Sequence, residues 1–558
     1  MTSDFHANSP SSPPASLGRF LGRFVRSDPA VAFTCPDIDC KTKTNLAIRC
    51  PACAKIGSEI IFHEYKEAKN HFENFYKDEE LHKIYDPFKE ITLQDVYSAL
   101  DTTIKRDQTS KGITLLCMLN AQTEDDSFNI MYSASSSTGK TYIPEEIAAY
   151  FPDAEIVEYA EASPTSFFHM NGTLVIERED RYERLSDVIK PLEEELEELQ
   201  ANKDRGKGEN QRVRELKAEI SKLRKEALIL VDLEGKIVIF LDQPNVMLLK
   251  KLRSFLSHDK KELRIAITDS TGHGGHRTKV VILRGFASVV FCTSSMDYSE
   301  QENNRTFMLS PESDLPKIED ALKLLDARLS DREKFKQRLL SNDQRQSLVF
   351  RIEMIRSTGV RKIVTEEGVI LERFRGAHKH LQPRAARDMT RIFALSYGHA
   401  LLNLFNRKRT GDELSTIKAE ACDVDAAFSL YEPIMQSNEL GLSPEAYSIY
   451  NDVILPAYKE KLAGIEARKE ANLKKKNYPS ETLDPKSDRS FGNHDEQRYV
   501  GLSYVDVSRA YLSHYHRPIK YDKLKEVMEI LTLAGLLDKF QDSEDKRRML
   551  FRPIANSD

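Results

Sequence analysis

The stretch FNIMYSASSSTGKTY, residues 128–142, joins an apolar run to a turn of small and hydroxyl-bearing residues. Its second half follows the phosphate-loop pattern G-x-x-x-x-G-K-[ST], except that Ala134 stands at the first glycine position. Such a loop binds phosphates through backbone N–H groups between a strand and a helix. Alanine is small enough for the tight turn, but it restricts the positive-φ conformations that glycine tolerates. The apolar run before the loop and the helical pattern YIPEEIAAYF after it favour a nucleotide site over a chance match.

The loop predicts ATP and Mg²⁺ as its ligands. Lys140 would reach the β- and γ-phosphates, and the Thr141 hydroxyl would bind Mg²⁺. The predicted nucleotide-binding residues are Ala134, Ser135, Ser136, Ser137, Thr138, Gly139, Lys140 and Thr141.

An ATPase also needs an acidic side chain near the loop, to hold Mg²⁺ and to activate water. Asp242 ends the apolar run KIVIFLD, where the carboxyl end of a parallel strand would present it. A turn aspartate at a strand end is the alternative interpretation. A glutamate is common at the next position, but this chain has Gln243. Either Asp242 therefore both holds Mg²⁺ and activates water, or the acidic residue that activates water lies elsewhere. Glu177, which ends LVIE, is a weaker candidate.

Two further polar positions flank buried-strand patterns. FASVVFCTSS ends in Thr293 and Ser294, either of which would orient the attacking water from between the loop and Asp242. Ordinary capping of a strand end is the alternative. Arg305 precedes the apolar run TFML and would stabilise transition-state charge in a neighbouring subunit's ATP site. A surface ion pair is the alternative for this arginine.

The order of these segments resembles that of AAA+ ATPases, in particular minichromosome maintenance helicases and related mobile-element replication ATPases. LQPRAARDMTRIFALSYGHALL, residues 381–402, is similar to the lid helix of those helicases. The resemblance implies that Arg384 contacts the γ-phosphate, and it places Arg391 at the position of a second arginine seven residues further on.

The segment GHGGHRTKVVILRGFASVVFC, residues 272–292, resembles the hairpin that projects into the central channel of such helicases. The resemblance implies that Arg277 and Lys279 bind DNA, and a plain surface hairpin is the alternative.

The resemblance covers about residues 95–410. It implies an α/β fold, with a parallel-sheet P-loop core at residues 95–320 and a helical lid at residues 321–472. It also implies a homo-oligomeric ring, with a hexamer favoured, and single- or double-stranded DNA as the partner.

Four of the seven cysteines form two pairs, Cys35 with Cys40 and Cys50 with Cys53, as tetrahedral Zn²⁺ requires. The spacing predicts a zinc ribbon over residues 31–60, with unliganded cysteines as the alternative.

The C-terminal segment, residues 498–558, has a helix–helix–hairpin pattern that predicts a winged-helix domain. One helix would be lined by Leu524, Val527, Met528, Leu531 and Leu533. The wing would direct Lys546, Arg547 and Arg548 toward DNA phosphate. Protein docking is the alternative role of such a module.

The remaining segments connect these units. We expect a disordered tail over residues 1–30, a helical connector over 61–94 and a polar linker over 473–497. Leucines at coiled-coil spacing predict an antiparallel helical hairpin, inserted into the core at residues 181–228.

The 558-residue chain has a formal net charge of −6, which excludes a uniformly basic nucleic-acid coat and limits DNA contact to local patches. No apolar run approaches the roughly 18 residues of a membrane helix, and the N-terminus lacks a signal-peptide core. We therefore expect a cytoplasmic, prokaryotic, nucleoid-associated protein without a membrane partner. The predicted function is a DNA helicase in DNA replication. The alternative is a DNA-binding scaffold, helicase loader or regulator that does not translocate and whose assembly is switched by ATP.

Overall fold

The computed structural model shows an α/β protein, as the sequence predicts. The residues that it describes are 33–34, 43–44, 89–123, 128–135, 137–160, 167–168, 172–178, 181–201, 206–244, 246–256, 260–269, 277–294, 306–357, 360–377, 385–408, 416–476, 500–542 and 545–554. Among the described helices, none combines the length and the apolar character that a bilayer crossing requires.

The strands of the described part are numbered in chain order. They are β1 Phe33–Thr34, β2 Lys43–Thr44, β3 Asn129–Ser133, β4 Ile156–Tyr159, β5 Gly172–Arg178, β6 Arg181–Arg184, β7 Leu228–Asp232, β8 Ile237–Phe240, β9 Glu262–Asp269, β10 Arg277–Arg284, β11 Ser288–Thr293, β12 Thr306–Leu309, β13 Lys362–Val364, β14 Thr416–Lys418, β15 Leu537–Gln541 and β16 Met549–Pro553.

The α-helices are numbered in the same way. They are α1 Leu93–Leu100, α2 Gln108–Asn120, α3 Tyr142–Ala148, α4 Leu185–Ala201, α5 Lys207–Glu226, α6 Val246–Leu256, α7 Leu315–Ser330, α8 Arg332–Leu340, α9 Asp343–Ser357, α10 Val369–Ala377, α11 Ala385–Leu402, α12 Ala421–Glu439, α13 Pro444–Ser448, α14 Leu455–Lys476, α15 Tyr504–Tyr515 and α16 Tyr521–Leu533. A π-helical segment, Ile449–Ile454, joins α13 to α14.

The central sheet has five parallel strands in the order β12-β3-β11-β8-β4. Every residue of β3, β8, β11 and β12 is buried. Strands buried on both faces need continuous apolar runs, which is the pattern of IVIF and SVVFC. The predicted parallel sheet is confirmed.

A second, mixed sheet has the order β6-β5-β7-β10-β9. It is built from two insertions into the central sheet, one between β4 and β8 and the other between β8 and β11. The hairpin predicted at residues 272–292 is present but shifted. Its strand β10 pairs antiparallel with β9, residues 262–269, while the run SVVFC belongs to the central sheet as β11.

Helices α4 and α5 extend from the second sheet, at the place of the predicted coiled-coil hairpin. They pack through an apolar seam formed by Leu185, Ile189, Leu192, Leu196, Ile220 and Leu223. Arg212 of α5 donates to Glu195 of α4 at 2.8 Å. The predicted hairpin begins four residues too early, because residues 181–184 pair with β5 as strand β6.

Helix α2 lies at the centre of the largest core. Every residue from Ser110 to Asn120 is buried, and the cluster around it contains side chains of the central sheet, α9, α11 and α12. The last carbonyl groups of a helix lack the regular intrahelical partner, and here side chains from other elements bind two of them. Ser288 donates to the carbonyl of Cys117, and Arg356 donates to that of Met118 at 3.0 Å. The sheet and the predicted lid helices therefore share one hydrophobic core.

Three predicted domain boundaries are wrong because they fall inside helices. The boundary at 94/95 cuts α1, the boundary at 320/321 cuts α7, and the boundary at 472/473 cuts α14. The helix starts carry ordinary capping signals: Thr92 accepts from the N–H of Asp95, and Asp314 accepts from that of Lys317. The capping residues, and not the predicted boundaries, mark where α1 and α7 begin.

The C-terminal module has the predicted order of two helices, α15 and α16, followed by the antiparallel pair β15 and β16. Its core also includes side chains of α13, the π-helical segment and α14. Leu524, Val527, Met528 and Leu531 are buried as predicted. Leu533 is 86% exposed, so its predicted place in that row is wrong.

The tight approach of α11 to α2 predicts that Gly398→Ala destabilises the protein. A Cβ at Gly398 would lie 2.8 Å from the Cβ of Leu116 and 3.2 Å from the backbone oxygen of Leu116. Overpacking of this kind costs about 1–3 kcal/mol. The matched control is Gly464→Ala in α14, where a Cβ has no neighbour within 4 Å. We expect a lower thermal unfolding midpoint for the first variant only, and equal midpoints would contradict this packing.

Candidate nucleotide-binding site

The predicted nucleotide residues lie at one edge of the central sheet. Parallel strands end at the same edge, and β3, β11 and β8 are neighbours. The loop follows β3, Thr293 ends β11, and Asp242 lies two residues after β8. Strand β11 therefore lies between the loop and Asp242. Ligands of open α/β sheets bind in this kind of crevice, outside the carboxyl ends of the strands.

Ala134 continues the sheet and does not bend the loop. Its N–H donates to the carbonyl of Thr293 at 3.2 Å, and the residue is 1% exposed. The positive φ angles of the loop occur later, at Ser137 (66°) and Gly139 (94°). The first position of the pattern therefore needs a small residue but not a glycine. Alanine at position 134, which distinguishes this loop from the usual pattern, therefore introduces no backbone strain.

The loop is held by contacts within itself and with β11. Thr138 Oγ1 donates to the carbonyl of Ser135 at 2.8 Å, and the carbonyl of Gly139 accepts from Ile143 at 3.1 Å. The Cys292 thiol donates to the carbonyl of Lys140 at 3.3 Å. Burial raises the pKa of Cys292 to about 12, so the thiol keeps its proton at neutral pH.

Gln243 is turned toward β11. Its N–H donates to Asp242 Oδ1 at 2.8 Å, and its side-chain oxygen accepts from Thr293 Oγ1 at 3.3 Å. Thr293 is buried, whereas Asp242 and Ser294 are exposed. Thr293, not Ser294, therefore reaches the acidic motif. A carboxylate side chain and a neutral amide side chain thus lie next to each other at the strand ends.

Sequence reasoning missed Glu145. Its N–H donates to the carbonyl of Thr141 at 3.2 Å, which places it one helical turn after the loop. Burial raises its pKa, and the nearby charges of Glu158 and Glu146 raise it further. After burial, the charges of Glu145, Lys140 and Asp242 also act on the pKa of Cys292, so all three lie around the same strand end. Its position four residues after Thr141, which is one helical turn, is the sequence signal that could have identified Glu145.

Sequence reasoning also missed Glu445, at the start of α13. Its carboxylate accepts from the backbone N–H of Ser135 at 3.3 Å and from the Ser135 hydroxyl at 2.9 Å. These residues are 310 positions apart in the chain. No sequence pattern connects them.

Two predicted residues have other places in the structure. Arg391 is buried against the ring of Phe307 and bonds Asp388 at 3.1 Å and the carbonyl of Thr306 at 2.6 Å. It anchors α11 to β12. Glu177 lies on β5 of the second sheet and pairs with Arg264, which lowers its pKa. It is therefore not at the edge of the central sheet, and its candidacy as the catalytic acid is wrong.

The predicted DNA-binding residues lie on two other elements, strand β10 and the turn of the C-terminal module. Lys279 is half-buried on β10, where it is paired with Ile267 of β9. Lys546, Arg547 and Arg548 are exposed in the turn between β15 and β16. Arg548 also donates to the Ser503 hydroxyl at 3.0 Å, so part of its hydrogen-bonding capacity is used within the module.

Several predicted residues lie outside the described part of the chain. They are Ser136, Arg305, Arg384, Cys35, Cys40, Cys50 and Cys53, and for Arg277 only the strand backbone is described. Strands β1 and β2 pair antiparallel within the predicted zinc-ribbon segment. Among the described residues, no group of three or more His, Cys, Asp or Glu side chains is arranged to hold a metal ion.

The loop geometry predicts that Gly139 is sensitive to substitution and that Ala134 is not. Ala134→Gly should leave the affinity for a fluorescent ATP analogue within about twofold, because Ala134 already has an allowed backbone conformation. Gly139→Ala should weaken binding about tenfold or more, because φ at this position is 94° while no atom crowds the site. Equilibrium titration of both variants checks this. Tighter binding by the Ala134 variant would contradict the geometry.

Comparisons with known proteins add little to this geometry. No protein-family model matches the chain, and no curated protein matches it. A full-length MCM homolog from Methanopyrus kandleri is 12% identical, with a TM-score of 0.27, over 62% of this chain and 63% of that one. The Aeropyrum pernix ORC1 protein, solved in complex with DNA, is 11% identical, with a TM-score of 0.16, over 77% of this chain and 84% of that one. The chain thus spans less than two thirds of the MCM homolog, and at these TM-scores neither similarity carries an argument about function.

Proposed function

We propose that this protein is an AAA+ ATPase that acts as a motor on DNA, specifically as a helicase in the replication of a chromosome or mobile element. The observation that carries the proposal is the shared edge of the central sheet. A phosphate loop, Thr293 and Asp242 follow three neighbouring parallel strands in that order across the sheet. Each residue type matches one requirement of nucleotide hydrolysis.

The side chains present fit ATP with Mg²⁺. Lys140 supplies a cation for the phosphates, while the Thr141 hydroxyl and the Asp242 carboxylate are the oxygen ligands that Mg²⁺ prefers. Mg²⁺ would neutralise charge on the phosphate oxygens. Backbone N–H groups of the loop bind the remaining phosphate oxygens.

Thr293 and Gln243 are proposed to orient the attacking water. Their side chains already touch, at 3.3 Å between Thr293 Oγ1 and Gln243 Oε1. An amide can position a water molecule in a nucleotide hydrolase, but it does not accept a proton as a carboxylate does. Hydrolysis by this arrangement is therefore slower than with a glutamate at position 243.

The DNA-acting part of the proposal rests on cations of two elements. Lys546 and Arg547 are exposed in the turn of the C-terminal module, and strand β10 carries Arg277 and the half-buried Lys279. Contacts of this kind bind phosphate without sequence preference and weaken as salt rises. We extend the proposal to a ring, preferably a hexamer, in which Arg305 acts on a neighbouring subunit's nucleotide and Arg384 contacts the γ-phosphate of its own.

We also propose a structural zinc ion. Cys35, Cys40, Cys50 and Cys53 would hold one Zn²⁺ in a ribbon before the ATPase core, since four thiolates match its tetrahedral preference.

A second candidate function is a nucleotide switch without translocation: a scaffold, helicase loader or regulator. Gln243 favours it, because a site with slow hydrolysis holds the ATP-bound state for longer.

DNA-stimulated ATPase activity separates the two functions. For the motor we expect hydrolysis that rises several-fold with single-stranded DNA and is lost in Lys140→Ala, because that variant lacks the phosphate-binding cation. Strand displacement on a forked substrate then distinguishes a helicase from a loader. Hydrolysis that is absent or indifferent to DNA would refute the motor.

The role of Gln243 predicts a gain of activity. Gln243→Glu should raise kcat about tenfold or more, because a carboxylate beside the water acts as a general base. Steady-state kinetics measures this, with Asp242→Asn as the control that loses Mg²⁺-dependent activity. An unchanged kcat in the glutamate variant would show that a different acidic residue activates the water, and Glu145 would be the next candidate.

A further inference from the structure

Glu445 is held in position by hydrogen bonds outside the phosphate loop. It occupies the first turn of α13, which Ser443 caps by accepting from the N–H of Ala446 at 3.2 Å. The N–H of Glu445 donates to Ser310 Oγ at 3.1 Å, and Ser310 in turn donates to the carbonyl of Ser133 at 2.7 Å. Glu445 is therefore tied to the end of β3 as well as to the loop that follows it.

The contact with Ser135 puts a carboxylate against a loop that binds anions. Glu445 accepts from both the N–H and the hydroxyl of Ser135, and its side chain is only 12% exposed. A mostly buried negative charge at this place opposes the binding of phosphate, because Coulomb interactions are weakly screened away from water.

One cation offsets that charge. Lys523 Nζ lies 3.9 Å from Glu445 Oε2, and the Lys523 side chain is 17% exposed. Among the described residues the ammonium has no hydrogen-bond partner, and at 3.9 Å its interaction with Glu445 is electrostatic. Lys523 belongs to α16, whose neighbouring residues Leu524 and Val527 are buried in the C-terminal module. Helix α13, which carries Glu445, packs in the same core as α16, so this cation and the carboxylate are held together.

We propose that Glu445 is a positioning residue of the phosphate loop, and that the C-terminal module sets the nucleotide affinity of the loop through Lys523. With Lys523 in place, the carboxylate holds Ser135 without repelling the phosphates. Without the Lys523 cation, the uncompensated carboxylate weakens nucleotide binding. The inference rests on the proposed nucleotide site and adds a charge-compensating residue to it.

A double-mutant cycle tests the pairing in the full-length chain. The probe is a fluorescent, non-hydrolysable ATP analogue with Mg²⁺, and the readout is its Kd. We expect Lys523→Met to raise Kd about threefold to tenfold, and Glu445→Gln to leave Kd unchanged or lower it. The Lys523 substitution should then have no effect in the Glu445→Gln background, because the charge that it compensates is gone.

Two further variants guard against a merely structural effect. Lys523→Arg keeps the charge and should bind as the wild type does, and Lys525→Met removes an exposed cation of the same helix without changing Kd. Thermal unfolding midpoints show whether each variant is folded. If Lys523→Met does not fold, Lys523→Gln takes its place in the cycle.

The outcomes separate this inference from the proposed function. Binding that depends on Lys140 but is equal across the cycle, or effects of the two substitutions that simply add, would overturn the role of Glu445 and leave the nucleotide site intact. Binding that is absent in the wild type, or indifferent to Lys140→Ala, would overturn both.

Discussion

The parallel pairing of β11 with β3 on one side and β8 on the other is the constraint on which the site depends. Thr293 is in register with Ser133, and Phe291 with Phe240. The loop and Asp242 are thereby held two strand spacings apart, about 10 Å for neighbouring strands 4.7–4.9 Å apart. Thr293 lies between them. Because Ala134 extends the same ladder through its N–H, the loop begins at a fixed height above the sheet.

The helical part of the protein is bound to this sheet by burial and by polar contacts at helix ends. Helix α2 has no exposed residue from Ser110 to Asn120, and Arg356 bonds one of its terminal carbonyls. A buried cluster fixes α11 to α12 in the same core: Asp423 accepts from Arg407 Nε and contacts His399 Nδ1, each at 2.7 Å. Such a carboxylate is tolerated only because it is fully bonded. A motion of the predicted lid would therefore have to separate a common core.

The sequence predicted the features that depend on local pattern. The apolar runs FNIMY, KIVIFLD, SVVFC and TFML correspond to four of the five strands of the central sheet, and β4 was not predicted. The predicted place of Thr293, between the loop and Asp242, agrees with the strand order. Thr92 and Asp314, residue types that commonly cap helices, precede α1 and α7 and are sequence signals for where these helices begin.

The remaining features depend on contacts between distant parts of the chain. Glu445 reaches Ser135 across 310 positions, and Arg391, which the resemblance placed at a second arginine position of the lid helix, is buried against β12. The division of the strands between two sheets could not be predicted either, because the runs ILV, AIT and VVIL are short and largely apolar, as are those of the central sheet. The conformation of Ala134 also had to be observed, since the phosphate-loop pattern alone implies a glycine.

The central claim is that the carboxyl edge of the parallel sheet binds a nucleotide with its metal ion. An experimental structure of the full-length chain with a non-hydrolysable ATP analogue and Mn²⁺ tests it most directly, because Mn²⁺ is located by its anomalous scattering. The account predicts phosphate density along the backbone of residues 137–141, and a metal peak beside the Thr141 hydroxyl and Asp242. Nucleotide bound elsewhere, or a metal peak far from Asp242, would contradict it.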